Sequence, residues 1–513
     1  MKYCTRCVYP EIAVNLNFDD KGVCSSCKTA EKFNSLTEEF WEKRRKIFEN
    51  ILEERLKSNK SNYDCVIPVS GGKDSYFQAH ILCEIYNLKA LLVTYHGNNY
   101  LPEGDYNRDM MRHHFNSDHI VWGPSINVLK KLNRVGFELM GDMNWQNHCG
   151  IFTAPIEIAT KFKIPLIFWG EIAWDISGMF NPEDFIEFSA RVRHEHGLRG
   201  YEWKDLISYK SEDLNEKDMV WAKYPSDIEI IKSGVRGLYI GNFFKWDANK
   251  HFKLVKKKYN WKESDKPFER TYRKFSNLDD RYENGIHDLL KFIKFGYGRA
   301  TDHASKDIRT GYMSRDEGVK MVKKYDHVIS SDLEYWLDYV DMKESEFWEI
   351  ADTFRSEKVW WIKNGEWYKE NLWGGSSPYG EVRLKKDLQE PFREVIQGGA
   401  QLIRGEAIKS IQTGPKSGRT YEKYNPRRTH KASAPGQAPA SDTGNLVRNI
   451  IVRQVDVDNV AVESNATYSS FLEFGTSKML ARPFLFPASE RSRPKIAQAV
   501  FNRVVKEIKR LVK

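Results

Sequence analysis

The sequence predicts an α/β protein with a parallel sheet and a phosphate-gripping turn, followed by a separate small α+β module. Three observations predict this. A short apolar run, residues 62–69, leads into the glycine-rich turn Ser70-Gly71-Gly72-Lys73-Asp74-Ser75 and then into the helical stretch 76–82. Further short apolar runs at 89–95, 118–122 and 164–169 alternate with helix-like segments such as 154–161, the pattern of βαβ units. Composition then changes abruptly at Trp373: all 15 tryptophans lie at or before it, and all seven cysteines lie at or before Cys149.

The chain of 513 residues has room for several domains. Its net charge of +9 is unevenly spread. Residues 381–513 hold 24 Lys+Arg against 13 Asp+Glu, a balance of +11; the rest holds 56 against 58, a balance of −2. No long apolar run predicts a membrane span, and Met1-Lys2-Tyr3-Cys4 lacks the apolar stretch of a signal peptide. With an odd number of cysteines and no disulfide pattern, the expectation is a cytoplasmic protein with no membrane partner. The expected domains are a cysteine knuckle at 1–30, the sheet domain at 31–260 and a helical substrate or partner region at 261–373. A flexible Gly/Ser linker is expected at 374–380 and the second module at 381–513.

Cys4-x-x-Cys7 and Cys24-x-x-Cys27 are sixteen residues apart. Each pair can grip one metal from a tight turn, and four thiolates complete a tetrahedral shell, the closed arrangement of structural Zn2+. An iron–sulfur cluster uses the same ligand set and stays open. Four cysteines leave no free coordination position, so a bracing role is expected. Residues 31–60 follow as an amphipathic helix with Phe40, Trp41, Phe48, Ile51 and Leu52 at helical spacing.

In the turn, Gly71 and Gly72 let backbone N–H groups approach a polyanion, and the helix N-terminus adds its positive end. The Ser70 and Ser75 hydroxyls can donate to phosphate oxygens, and Lys73 adds charge. Asp74 beside a phosphate site suits Mg2+. The spacing is neither a Walker loop nor G-x-G-x-x-G. The hexapeptide resembles the PP-loop signature SGGxDS of the ATP pyrophosphatases, whose sheet domain is adenine nucleotide alpha-hydrolase-like. That resemblance implies cleavage of ATP to AMP and pyrophosphate with transfer of the adenylyl group to an oxygen. It implies ATP binding by Ser70 to Ser75, with Lys73, Asp74 and Ser75 as catalytic residues. Ligands of parallel sheets bind beyond the carboxyl ends of the strands, which adds Val93 and Tyr95 beside adenine, and Gly170, Glu171 and Asp175 at the same edge.

The stretches His148-Cys149-Gly150-Ile151, Ile167-Phe168-Trp169-Gly170-Glu171, Gly237-Leu238-Tyr239-Ile240-Gly241 and residues 294–302 resemble the N-acetyl sugar amidotransferases of lipopolysaccharide and O-antigen biosynthesis. The resemblance spans about residues 1–373. It implies attack of an N-acetyl oxygen of a nucleotide-linked sugar on ATP, followed by ammonia addition that converts acetamido to acetamidino. Cys149 makes a weak glutaminase nucleophile, so ammonia is expected from a glutaminase subunit with a cyclase-like delivering subunit. Arg299 and Arg309 are candidate phosphate clamps, because guanidinium suits bidentate phosphate contacts. A PP-loop tRNA thiolation enzyme is the rival reading; the near-neutral charge of this part argues against a large tRNA footprint.

Beyond Glu381 a helix is expected over 384–411, a long mobile basic loop over 413–443, strands at 450–455 and 460–464, and a basic helix over 494–512. Ala434-Pro435-Gly436 with Thr443-Gly444, then Glu473-Phe474-Gly475-Thr476 and Ala481-Arg482-Pro483-Phe484, resemble the phage tail-component family of neck and tail-completion proteins (gene-product-ten-like). This implies a virion-associated structural subunit that forms rings or contacts other neck proteins, with no catalytic site. The alternative for the whole chain is therefore a structural phage protein carrying the PP-loop part as a fusion.

Overall fold

The computed structural model describes residues 1–13, 16–97, 100–171, 181–189, 192–209, 213–276, 278–280, 283–383, 389–424, 427–455 and 459–511. The chain divides into two compact units, residues 1–355 with 359–383, and residues 356–358 with 384–513. Among the described residues no helix is long and apolar enough to cross a membrane.

The first unit is built on five parallel strands: β1 (Cys65–Pro68), β2 (Ala90–Tyr95), β3 (Asp118–Trp122), β4 (Leu166–Trp169) and β5 (Arg236–Tyr239). Their order is β3-β2-β1-β4-β5, with Val66 opposite Leu91 on one side and Ile167 on the other. Both faces are covered, which is why β2 and β4 are apolar runs buried at every position, with alternate residues entering opposite cores. Val66, Leu91, Val93 and Ile167 enter one core, which the helix Trp145–Phe162 covers with Ala154 and Ile158. Cys65, Ile67, Leu92, Leu166 and Phe168 enter the other, beneath Phe48 and Ile51 of the helix Glu38–Lys57. The chain steps outward from β1 to β3, then returns to the far side of β1 for β4 and β5. The direction of winding thus reverses between β1 and β4, and in sheets of this kind ligands bind beyond the carboxyl ends of the strands at such a reversal.

β5 was not expected from sequence. Its four residues, Arg-Gly-Leu-Tyr, carry no alternation, and pairing with β4 makes them a strand. Gly237 fits there because a Cβ would lie 2.8 Å from the Trp169 ring. The single helix expected over 31–60 is two helices, Ser25–Ser35 and Glu38–Lys57. Thr37 starts the second one by accepting the Phe40 N–H (3.3 Å).

Helices Glu283–Phe295, Arg299–Arg309, Arg315–Tyr325, Asp332–Val340 and Glu344–Ala351 form the region after the sheet. Phe137, Ile286, Leu290, Trp336 and Phe347 make one of its cores. Of the four tryptophans that read as core aromatics, Trp336, Trp360 and Trp367 are buried, whereas Trp361 is 40% exposed.

The stretch 374–380, expected as a flexible linker, is a turn and a strand. β6 (Trp361–Lys363), β7 (Glu366–Glu370) and β8 (Ser376–Glu381) form an antiparallel sheet. Gly374 and Gly375 sit at φ +91° and +66°, the left-handed turn that reverses β7 into β8. Tyr379 then packs edge-on against Phe292 and Trp360 and donates to the Asn371 side chain. Gly/Ser composition here encodes a tight reversal, and the division between units falls after Arg383.

In the second unit, helices Gln389–Thr413 and Leu485–Leu511 pack along each other. The hairpin β11 (Ile450–Gln454) and β12 (Val460–Ser464) lies against the first of them. The last helix starts earlier than expected because Glu473 accepts the N–H groups of Phe484, Leu485 and Phe486 (2.8, 3.1 and 2.8 Å). The loop expected over 413–443 contains a second hairpin, β9 (Thr420–Tyr424) with β10 (Arg427–Lys431). Ala407, Ile411, Ile450, Phe484 and Ala488 form the core.

Candidate functional site

The loop Ser70–Ser75 leaves the carboxyl end of β1 at the reversal point of the sheet. It closes on itself: the Ser70 N–H donates to Ser75 Oγ (3.0 Å) and the Gly72 N–H to Ser70 Oγ (3.3 Å). Gly71 has φ +85°, and a Cβ there would lie 2.6 Å from the backbone nitrogen of Arg108. Trp261 donates its indole N–H to the Gly71 carbonyl (2.9 Å), which fixes the peptide plane. Gly72 caps the helix Lys73–Ala79, which continues as a π-turn to Ile85; no side chain caps its N–H groups. These donors are the groups an anion needs.

Lys73 pairs with Asp74, whose side chain is 33% exposed. Burial opposes charge on Asp74, but Lys73 and His251 outweigh it and hold the carboxyl below its ordinary range. His251 is stacked on Phe77 at 3.5 Å between ring centres, and Trp246 meets it edge-on. His251 Nε2 accepts the Asp247 N–H (3.3 Å), so the ring proton belongs on Nδ1, which lies 3.5 Å from Asp74. Burial lowers the affinity of His251 for a second proton. An ionised, partly open carboxylate beside phosphate donors has the chemistry to hold Mg2+.

Gln78 joins the loop to β4. With its amide oxygen toward β4 it accepts the Gly170 N–H (2.8 Å), and its nitrogen faces the Pro68 carbonyl (3.3 Å). Gly170 must lack a side chain, since a Cβ would lie 2.0 Å from Gln78. The Gly170 carbonyl accepts from the Gly241 N–H (3.1 Å). Glu171 follows and pairs with Lys306. Asp279 accepts a hydrogen bond from Ser70, while burial raises its pKa. Asp175 lies outside the described residues.

The other expected site residues are placed differently. Val93 and Tyr95 are buried, Tyr95 with its hydroxyl on Gln146 (2.7 Å). Their side chains are used in the core, which leaves their backbone for any nucleotide contact. Gln146, Asn147 and Asn133 all donate to Glu283 (2.7, 2.7 and 2.8 Å), whose carboxyl burial pushes up to about 8. Arg299 is held by the fully buried Asp288 (2.9 Å). Arg309 faces the cysteine cluster, with Nη2 3.8 Å from Cys7 Sγ and its guanidinium over Tyr9. Cys149 is buried beside Thr153, and burial pushes its thiol up to about 12, a core thiol and a poor nucleophile.

Gln78, Trp246, His251, Trp261 and Asp279 were not singled out from sequence, and Lys306 stood out only as one charge in the dense run 291–315. None lies in a motif. Of the first five, Gln78 had a signal: it sits in the first turns of the helix that the loop opens.

The four cysteines meet as expected. Their sulfurs lie within 4.8 Å of one another and are buried, with Cys7–Cys24 at 3.7 Å and Cys4–Cys27 at 3.9 Å. A tetrahedral ion with ligands at about 2.3 Å has edges of about 3.8 Å, so one ion fits. The Arg6, Cys7 and Cys24 N–H groups donate to Cys4 Sγ (3.4, 3.4 and 3.3 Å). Arg309 adds a cation that offsets thiolate charge. The knuckle docks on the helical region through Tyr9, which donates to Asp302 (2.9 Å), and through Arg315, which reaches the Cys7 and Cys4 carbonyls.

Two family models match this chain. Residues 269–372 match the C-terminal domain of the WbpG-like lipopolysaccharide biosynthesis proteins. Residues 382–475 match the bacteriophage HK97-gp10 tail-component family. No curated protein matches the chain. The first match covers the helix Arg299–Arg309, which carries Arg299, His303 and Lys306, together with strands β6 and β7, and ends before β8. The second begins at the unit boundary.

Proposed function

We propose that the first unit is an ATP-dependent amidotransferase of the ATP-pyrophosphatase type, acting on the N-acetyl group of a nucleotide-linked sugar. The observation that carries it is the Ser70–Ser75 loop at the reversal point of a parallel sheet, in a chain whose next region matches a lipopolysaccharide-biosynthesis family. The loop N–H groups and Lys73 bind and orient the phosphates of ATP. Asp74, kept ionised by Lys73 and His251, would hold magnesium, whose charge would offset that of the pyrophosphate leaving group. The acetamido oxygen of the sugar attacks the α-phosphorus, and pyrophosphate leaves. Ammonia adds to the activated carbon, a proton is lost, and AMP departs to leave the acetamidino group. With Cys149 buried as a core thiol, ammonia comes from a partner glutaminase through a delivering subunit. The cysteine centre is a structural zinc site.

The test is an assay of purified protein with MgATP, ammonium chloride and a panel of nucleotide-linked N-acetyl sugars. The expected products are AMP, pyrophosphate and a sugar with an amide oxygen replaced by NH. Asp74→Asn is expected to lower kcat by about 10²-fold or more. Absence of AMP with every sugar and ample ammonia would refute the reading.

A second reading applies to the second unit, and the 382–475 match favours it. This module is a structural subunit that self-associates or binds phage neck proteins. Its exposed Phe471, Phe474 and Leu480 offer apolar surface for such contacts.

A further inference from the structure

The helix Arg299–Arg309 presents Arg299, His303 and Lys306 at i, i+4 and i+7, one face of a helix. Arg273, Arg299, Lys306 and the loop's Lys73 all act electrostatically on His303, so this face and the loop share one field. Two of these cations are committed to buried carboxylates. Arg273 is bound to Asp307 at 2.6 Å, with both side chains under 10% exposed, and Arg299 is bound to Asp288. Lys306 differs. It makes an ion pair with Glu171 among its contacts, and the two side chains are 23% and 30% exposed.

Glu171 has a defined position. It is the second residue past β4, the strand beside β1. Gly170 before it is pinned by Gln78 from the loop's own helix and by the Gly241 N–H. The Lys306 ammonium is therefore stationed at the strand edge where the loop opens, although it belongs to the helical region. Glu171 keeps an opening to solvent that the buried Asp288 and Asp307 lack, and a polyphosphate offers the ammonium more charge than one carboxylate does.

We propose that Lys306 is a second phosphate-neutralising cation of the nucleotide site, and that Glu171 holds it in place until a polyphosphate displaces the carboxylate. The inference rests on the ATP-pyrophosphatase reading above and adds a catalytic residue to it. Lys73 and Lys306 then approach the pyrophosphate from the loop and from the helical region. Charge on the leaving group is met only when both regions are in place.

The test uses the full chain and its Lys306→Ala, Lys306→Arg and Glu171→Gln variants, each checked by thermal melting. Binding of MgATP and of inorganic pyrophosphate is measured by calorimetry, and AMP release by chromatography. Lys306→Ala is expected to weaken pyrophosphate binding by about 10-fold or more and to lower kcat by about 10²-fold. Lys306→Arg is expected to recover most of both. Glu171→Gln should bind pyrophosphate at least as tightly as the parent. The inference is overturned if Lys306→Ala binds pyrophosphate like the parent, or if Glu171→Gln loses binding as Lys306→Ala does, the mark of a purely structural pair. If Lys306→Ala does not fold, Lys306→Gln is judged by the same two criteria. A parent protein that binds neither MgATP nor pyrophosphate sinks the ATP reading itself, an outcome distinct from variants that match a binding-competent parent.

Discussion

At the scale of single residues, the loop is specified by what it excludes. Gly71 combines a left-handed backbone with a neighbour, the Arg108 backbone, that sits inside a helix and cannot give way. Gly71→Ala is expected to cost about 1–3 kcal/mol from backbone strain alone. The clash adds to it, and nucleotide affinity falls because the loop N–H groups are re-aimed. Urea denaturation of the variant beside the parent measures the first effect and MgATP calorimetry the second; unchanged values in both would contradict this account. Arg309 teaches the opposite lesson. A guanidinium in a basic segment reads as a phosphate clamp, yet it lies against a thiolate cluster whose members are some 300 residues earlier in the chain (|i−j| = 302 from Cys7). Nothing local to position 309 carries that information.

At the scale of elements, the helix Arg299–Arg309 has two working faces. Arg309 and Ile308 meet the cysteine knuckle, while Arg299, His303 and Lys306 lie at i, i+4 and i+7, with Lys306 paired to Glu171 just past β4. The knuckle thus braces the element that brings Lys306 to the strand edge. Purified protein is expected to contain one zinc ion per chain by elemental analysis. Cys7→Ser or Cys27→Ser should lower that content, and Tm of the first unit should fall by on the order of 1 °C for each kcal/mol of lost metal binding. Iron with sulfide in place of zinc, or an unchanged Tm after metal removal, would count against a structural zinc site. The close spacing of the four sulfurs already favours a single ion over a cluster.

At the scale of the whole molecule, the chain joins two units with separate cores and separate family matches. A fragment of residues 1–383 is expected to keep kcat/KM for AMP formation within about 3-fold of the full chain, since every residue placed in the site belongs to the first unit. A fragment inactive under conditions where the full chain turns over would show that the second unit completes the site.

The sequence by itself determined the parts that depend on local chemistry. The loop needs small residues at fixed spacing, the metal site needs two C-x-x-C bites, and buried parallel strands need short apolar runs, so each is legible within a few residues. The break in composition at Trp373 likewise falls close to the boundary between the two compact units. Tertiary structure alone decided β5, which becomes a strand only by pairing with β4. It also decided that 374–380 folds back as β8 against β7. It decided which cation meets which anion, giving Arg309 to the thiols and Lys306 to Glu171. The reason is range: hydrogen-bond geometry in a turn is set by neighbours along the chain, whereas an ion pair is set by which surfaces the fold brings within a few ångströms, and that depends on all the packing between them.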